Sequence, residues 1–263
     1  MSILPRLMKA YKDQGLMPLT GYSPAHFGGF PDAHFTCFIN PDKTIVGVMG
    51  LALQELMFME PLGAMLSPKN ILVIGNALGW STIALGMIFP HARIVSIDPN
   101  QDGNALTNRI ARACGLNIKA EAGFSPGDVE LMAVRHLGGK VDLFLIDAIH
   151  SNEAVIVDFS ACRTVAAEDA VYIFHDVINC GLVDAINHIR RSSGLTTQVL
   201  TRTPSGMAVA YGTVPQEVAE YVACFTDDNL NAYRAYRTAA MEAHGKLATA
   251  TSLDPLGEHI AKL

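Results

Sequence analysis

The sequence predicts a doubly wound α/β fold: a mostly parallel seven-stranded sheet with helices on both faces and an antiparallel hairpin at one edge. Three observations carry this expectation. Between about residues 70 and 211, short β-branched apolar runs alternate with segments of helical length, the pattern of successive βαβ units. The first run is halted by Gly75-Asn76, and an apolar segment resumes after Gly79, as in a strand, loop and helix buried on both sides. Half of the 263 residues are apolar and only 17% are Asp, Glu, Lys or Arg, against roughly 25% in ordinary soluble domains. A sheet covered on both faces accounts for such a deficit.

Taken in order, residues 1–66 read as a helical extension. They hold a Gly/Pro/His/Phe-rich stretch at 21–41, then an apolar segment, 45–66, interrupted by Gln54, Glu55, Glu60 and Pro61. Those polar residues fall on one side of a helical pattern, so an amphipathic helix is expected. Strands are expected at 71–74, 93–97, 118–122, 141–146, 170–174, 196–200 and 207–211. Helices are expected at 81–89, 102–114, 128–137, 152–166 and 182–191. The last two strands are joined by Thr201-Arg202-Thr203-Pro204-Ser205-Gly206, too short for a helical crossover, so they should form an antiparallel edge hairpin. Residues 214–263 read as helices at 215–225 and 230–244 with a weakly helical tail. A core at 67–213 with two helical additions, all in one domain, is the expected organisation.

Composition excludes several classes. Net charge is −6 with no basic run, which argues against a nucleic-acid partner, since phosphate neutralisation needs a basic face. Intrinsic disorder is incompatible with the apolar content. The cysteines (Cys37, Cys114, Cys162, Cys180 and Cys224) are scattered and form no CxxC pair, which fits reduced thiols and a cytoplasmic location. Residues 1–15 alternate apolar and charged side chains, so no secretory leader is expected. Residues 71–89 lack any charged side chain and reach the length of a membrane span, but the glycine break makes them strand, loop and helix. No membrane partner is expected.

In an open parallel sheet, ligands bind beyond the carboxyl ends of the strands. The first such turn is Gly75-Asn76-Ala77-Leu78-Gly79-Trp80-Ser81. Its glycines permit tight turning and close approach, and the helix behind it offers free N–H groups to an anion. Ser81 either adds a hydroxyl or caps that helix. Asp98 closes the next strand, where a carboxylate accepts hydrogen bonds from both ribose hydroxyls. Loop and acid in one βαβ frame indicate an adenosine-type cofactor. The loop is neither GxGxxG nor GxxxxGK(S/T), which demotes NAD and ATP.

The fourth strand ends in Asp147, with His150 three residues on, and the fifth is followed by His175-Asp176. Parallel strands bring these four ionisable groups to one edge beside the glycine loop. Two chemistries fit them. Carboxylates can hold a hard divalent cation, and His150 can take a proton from a hydroxyl near neutral pH. Asp147 or Asp176 alone would serve equally as a helix or turn cap. His91, His136, His188 and His244 read as ordinary surface or core groups, and His26 and His34 are minor candidates for facing a substrate.

These residues resemble the class I S-adenosylmethionine-dependent methyltransferases, more narrowly the catechol-O-methyltransferase-like and macrolide-sugar O-methyltransferase branches. Those branches carry a Gly-x-x-x-Gly-aromatic-Ser loop, matched by Gly75, Gly79, Trp80 and Ser81, and a second strand ending in an acid, matched by Asp98. The resemblance covers roughly residues 45–212 and implies a Rossmann-like core. It places the cofactor's methionine end over Gly75, Asn76, Ala77, Gly79, Trp80 and Ser81, its ribose on Asp98, its adenine near Gly123, Phe124 and Ser125, and Asp147 beside it. It assigns Asp147, His175 and Asp176 to a divalent cation (Mg²⁺, Mn²⁺ or Fe²⁺) and His150 to general base. The reaction implied is methyl transfer to a hydroxyl of a small-molecule acceptor.

Two positions depart from the family pattern. Val73 stands where most relatives carry Glu or Asp, and His175 replaces a carboxylate; a neutral imidazole suits Mn²⁺, Fe²⁺ or Zn²⁺ better than Mg²⁺. An NAD-dependent oxidoreductase and a cofactor-binding protein without transferase activity are the alternatives. Residues 21–40, with Phe27, Phe30, Phe35 and Phe38, read either as a lid over a partly apolar acceptor or as a segment packed under the sheet. The Met-rich stretch 49–65 covers either the substrate pocket or the subunit interface of a homo-oligomer.

Overall fold

The computed structural model describes residues 2–21 and 35–226, with Ala239, Glu242 and Ala243. The chain opens with α1 (Leu4–Lys12), followed by β1 (Met17–Leu19), β2 (Thr36–Ile39) and β3 (Ile45–Gly50), which form a small antiparallel sheet. Next come α2 (Leu53–Met65), β4 (Asn70–Ile74), α3 (Trp80–Ile88), β5 (Arg93–Ile97), α4 (Gln101–Cys114) and β6 (Ile118–Glu121). The second half holds α5 (Val129–Met132, continued by a π-helical turn at Ala133–Leu137), β7 (Val141–Ile146), α6 (Asn152–Val165) and β8 (Ala166–Phe174). α7 (Val183–Ser193), β9 (Thr196–Val199), β10 (Ala208–Tyr211) and α8 (Gln216–Ala223) complete the described elements.

The large sheet has the order β6-β5-β4-β7-β8-β10-β9. Its first five strands run parallel, and β10 is antiparallel to both β8 and β9, so the doubly wound sheet and its edge hairpin are as the sequence predicts. Alternation explains why the strands read as unbroken apolar runs. Ile71, Val73, Leu143, Leu145, Val171 and Ile173 enter one apolar cluster with α1–α4 and α8. Leu72, Ile74, Phe144, Ile146, Tyr172 and Phe174 enter the other, with α5–α7. Both faces are covered, as parallel sheets require.

One expectation fails in the N-terminal addition. The amphipathic helix expected over 45–66 is strand β3, a short break, and then α2. The β-branched Ile45, Val46 and Val48 favour a strand, and β2 supplies the partner. Nor do the polar residues of α2 share a solvent face. Gln54 is exposed and Glu60 half-buried, whereas Glu55 is completely enclosed, because α2 packs on α3 and α8 and turns Glu55 towards His175 and Ser205. The charge-free stretch 71–89 is β4, the loop and α3, whose nine residues are all buried. Among the described residues, no helix is long and apolar enough to cross a membrane. The helix expected at 230–244 lies outside the described residues apart from Ala239, Glu242 and Ala243.

The lower half of the core turns on Phe144, stacked on Tyr172 at a centroid distance of 4.9 Å. Phe144→Ala is expected to cost about 3–5 kcal/mol, measured as a shift of the urea unfolding midpoint.

Candidate active site

Strand register sets the position of every site residue. Ile74 pairs with both Ile97 and Ile146, and Ile146 pairs with Phe174. The next residues along the chain, Gly75, Asp98, Asp147 and His175, therefore leave the sheet at one level. The ladder continues one step past the strands: Gly75 N–H donates to the Ile97 carbonyl (3.0 Å), Asp147 N–H to Ile74 (2.8 Å) and His175 N–H to Ile146 (3.2 Å). Above this edge lies a cleft of about 1020 Å³, at the top of the roughly 300–1,000 Å³ range of small-molecule pockets.

The glycine loop forms one wall. Gly75 has φ +90°, and a Cβ there would run into the Asp147 carbonyl. Gly79, at φ +81°, is the residue before α3, so the helix has no side-chain cap and Ser81 sits inside its first turn. Asp98 organises the loop: its Oδ2 accepts the N–H groups of Asn76 and Ala77 (both 2.8 Å), and its Oδ1 that of Asn100 (2.8 Å). Gly75, Asn76, Ala77, Trp80, Ser81 and Asp98 line the cleft, whereas Gly79 does not.

Beneath the loop is a polar network that sequence reasoning missed. Asn76, 4% exposed, accepts at Oδ1 from the hydroxyls of Thr82 (2.9 Å) and Ser96 (3.0 Å). Its amide donates to Thr107 Oγ1 (2.9 Å) and Asn104 Oδ1 (3.2 Å). Val73, at the position where relatives carry an acid, is fully buried among apolar side chains. Tyr11 adds a tether from α1, donating to the Leu78 carbonyl at 2.9 Å.

The opposite wall carries the ionisable cluster. Asp147 Oδ1 lies 3.3 Å from His150 Nε2 and 3.0 Å from His175 Nδ1. Asp176 Oδ2 lies 3.4 Å from each of the same two nitrogens. The four ligand atoms thus form a ring, all within 4.8 Å of one another. Atoms about 2.1 Å from a shared ion stand about 3.0 Å apart in octahedral and about 3.4 Å apart in tetrahedral coordination, so the donor set fits a divalent cation. Asp176 holds a left-handed backbone, φ 54°, which turns its carboxylate back towards His150.

Charge and hydrogen bonding link the members of this cluster. Burial alone would raise the Asp147 carboxyl, but the His175 charge and hydrogen bonds from both histidines hold it down at about 2. His150 is raised, chiefly by its hydrogen bond to Asp147. Burial works against a charged His175, yet the Asp147 charge and the surrounding carboxylate hydrogen bonds outweigh it and carry the ring well above its usual value.

A residue absent from the sequence expectation backs His175. Glu55 of α2 lies 2.9 Å from its Nε2. The available signal was an acid set among Leu53, Leu56, Phe58 and Met59 in a mostly apolar segment. Gly123, Phe124 and Ser125 line the cleft together with Asp158 of α6, whose carboxyl is raised by burial. Phe35 and Phe38 also line the cleft, but Phe38 is a core residue of β2 packed on Tyr11 and Trp80. Phe27, Phe30, His26 and His34 lie outside the described residues, as does His244. His91, His136 and His188 are not among the lining residues.

Comparison with known proteins finds the same fold elsewhere. Residues 72–177 match the family model for a methyltransferase domain. A cofactor-bound protein from MTB, Rv0187, is 20% identical, with a TM-score of 0.54 over 62% of this chain and 81% of that one. An O-methyltransferase from Bacillus cereus in complex with SAH is 15% identical, with a TM-score of 0.51 over 62% and 83%. A Staphylococcus aureus protein provisionally described as a caffeoyl-CoA O-methyltransferase is 16% identical, with a TM-score of 0.51 over 80% and 98%. At these identities the likeness establishes the fold. No curated protein matches by sequence.

Asn76→Ala is expected to leave several enclosed hydroxyls and amides unpaired and to cost about 1–3 kcal/mol, read from chemical denaturation. Asp147 titrates lower folded than unfolded, so in metal-free protein its contribution to stability is complete above about pH 4 and lost as pH falls towards 2. Asp147→Asn should therefore flatten the fall of the melting temperature between those two pH values.

Proposed function

We propose that this chain, whose core is a methyltransferase domain, is an S-adenosylmethionine-dependent O-methyltransferase acting on a hydroxyl of a small molecule with the help of a divalent cation. The observation that carries the reading is that one cleft has two chemically different walls. A glycine loop with a ribose-competent carboxylate stands on one side, and a ring of two histidines and two aspartates on the other.

Gly75, Asn76, Ala77, Trp80 and Ser81 would hold the amino-acid end of the cofactor, Asp98 its ribose, and Gly123, Phe124 and Ser125 its adenine. Asp147, His175 and Asp176 would hold the cation, which when bound lowers the pKa of an acceptor hydroxyl and orients it. His150 is the most exposed member of the ring, with 34% of its side chain accessible, and so is placed to meet the acceptor. Its imidazole would take the proton of the acceptor hydroxyl as that oxygen receives the methyl group the cofactor supplies when bound. The remainder of the catalysis is positioning. Exposed Ile149, the neighbour of His150 at the cleft, favours an acceptor with an apolar part.

His150→Ala is expected to lower methyl transfer to a panel of phenolic and sugar acceptors by roughly 10²–10⁴-fold. Calorimetric affinity for S-adenosylhomocysteine should stay within about twofold of wild type, since general-base loss acts on the chemical step alone. Loss of that affinity would instead assign His150 to the cofactor pocket.

A further inference from the structure

Glu55 belongs to α2, outside the residues matched by the methyltransferase model. Its side chain is completely enclosed, and an enclosed carboxylate needs partners for both oxygens. Oε1 accepts the Ser205 N–H at 3.0 Å, and Oε2 accepts the Ala52 N–H at 2.8 Å. Oε2 also lies 2.9 Å from His175 Nε2, while Nδ1 on the other side of that ring faces Asp147 and Asp176. The imidazole, 5% exposed, is thus gripped from behind and open only towards the ring of ligand atoms.

We propose that Glu55 is a positioning residue for a cation at Asp147, His175 and Asp176, and that it tunes this site to metals of the Mn²⁺, Fe²⁺ and Zn²⁺ class over Mg²⁺. The inference rests on the cation reading above. A carboxylate behind a ligating histidine takes the N–H of the far nitrogen, fixes the tautomer and raises the basicity of the facing one. A basic imidazole ligand then favours borderline metals, whereas an all-oxygen set favours Mg²⁺. Because the carboxylate comes from α2, residues 72–177 alone would lack this support. A contact that merely stapled α2 to β8 would affect folding without changing which metal is preferred.

The test is metal binding to the full chain, stripped with a chelator and titrated with Mn²⁺ or Mg²⁺ alone, with free Mn²⁺ followed by electron paramagnetic resonance. Wild type is expected to bind Mn²⁺ at least about tenfold more tightly than Mg²⁺. Glu55→Gln should weaken Mn²⁺ binding by roughly 10–100-fold and narrow the Mn²⁺/Mg²⁺ ratio, with affinity for S-adenosylhomocysteine unchanged. Equal wild-type affinities for the two metals, or an unchanged ratio in Glu55→Gln, would overturn the inference and leave the cation reading standing. Wild type that binds neither metal would remove both. Should Glu55→Gln fail to fold, long-range ¹H–¹⁵N correlations of Zn²⁺-loaded wild type decide. A proton on Nε2 of His175 supports the inference, and an unprotonated Nε2 contradicts it.

Discussion

The site depends on one constraint: the in-register parallel pairing of β4 with β5 and β7, and of β7 with β8. Because Ile74, Ile97, Ile146 and Phe174 share a level, the residues that follow them leave the sheet along a single line. Backbone hydrogen bonds extend the ladder to Gly75, Asp147 and His175, so these residues are held by the sheet itself rather than by flexible loops. A slip of one residue in any of these pairs would reverse the faces of a strand, breaking both apolar clusters together with the site. Core and chemistry are therefore specified by the same contacts.

Above that line, each wall is finished by polar groups withdrawn from solvent. Asp98 gathers the N–H groups of the glycine loop from above, and Asn76 anchors the loop from below through Thr82, Ser96, Asn104 and Thr107. The loop thus has its own internal supports although Val73 offers no carboxylate. On the other wall, His175 lies between Glu55 and Asp147. The N-terminal addition and the central sheet meet at that ring, and the residues leading into β10 join them through the Ser205 N–H, which donates to Glu55.

Much of the fold was legible because its signals are local. Strands buried on both faces read as β-branched runs, and the boundaries of β5 and β7 coincide with those expected. The residues at the strand ends were legible too, since they follow those runs directly. What could not be read joins distant positions. The Glu55–His175 contact spans 120 residues, and no periodicity links its partners. The pattern at 45–66 reads as an amphipathic helix only if Glu55 faces water. The Asn76 network depends on residues from β5, α3 and α4, each an unremarkable Thr, Ser or Asn by itself. Small strands such as β1 and β2 are too short to carry a period.

The account stands or falls on the identity of the cofactor, since Asp98 alone would suit any ribose. Calorimetric titration of the purified chain with S-adenosylhomocysteine and, separately, with NAD addresses this directly. The account predicts one site for S-adenosylhomocysteine, weakened in Asp98→Ala, and no heat of binding with NAD. Saturable binding of NAD with none of S-adenosylhomocysteine would contradict it.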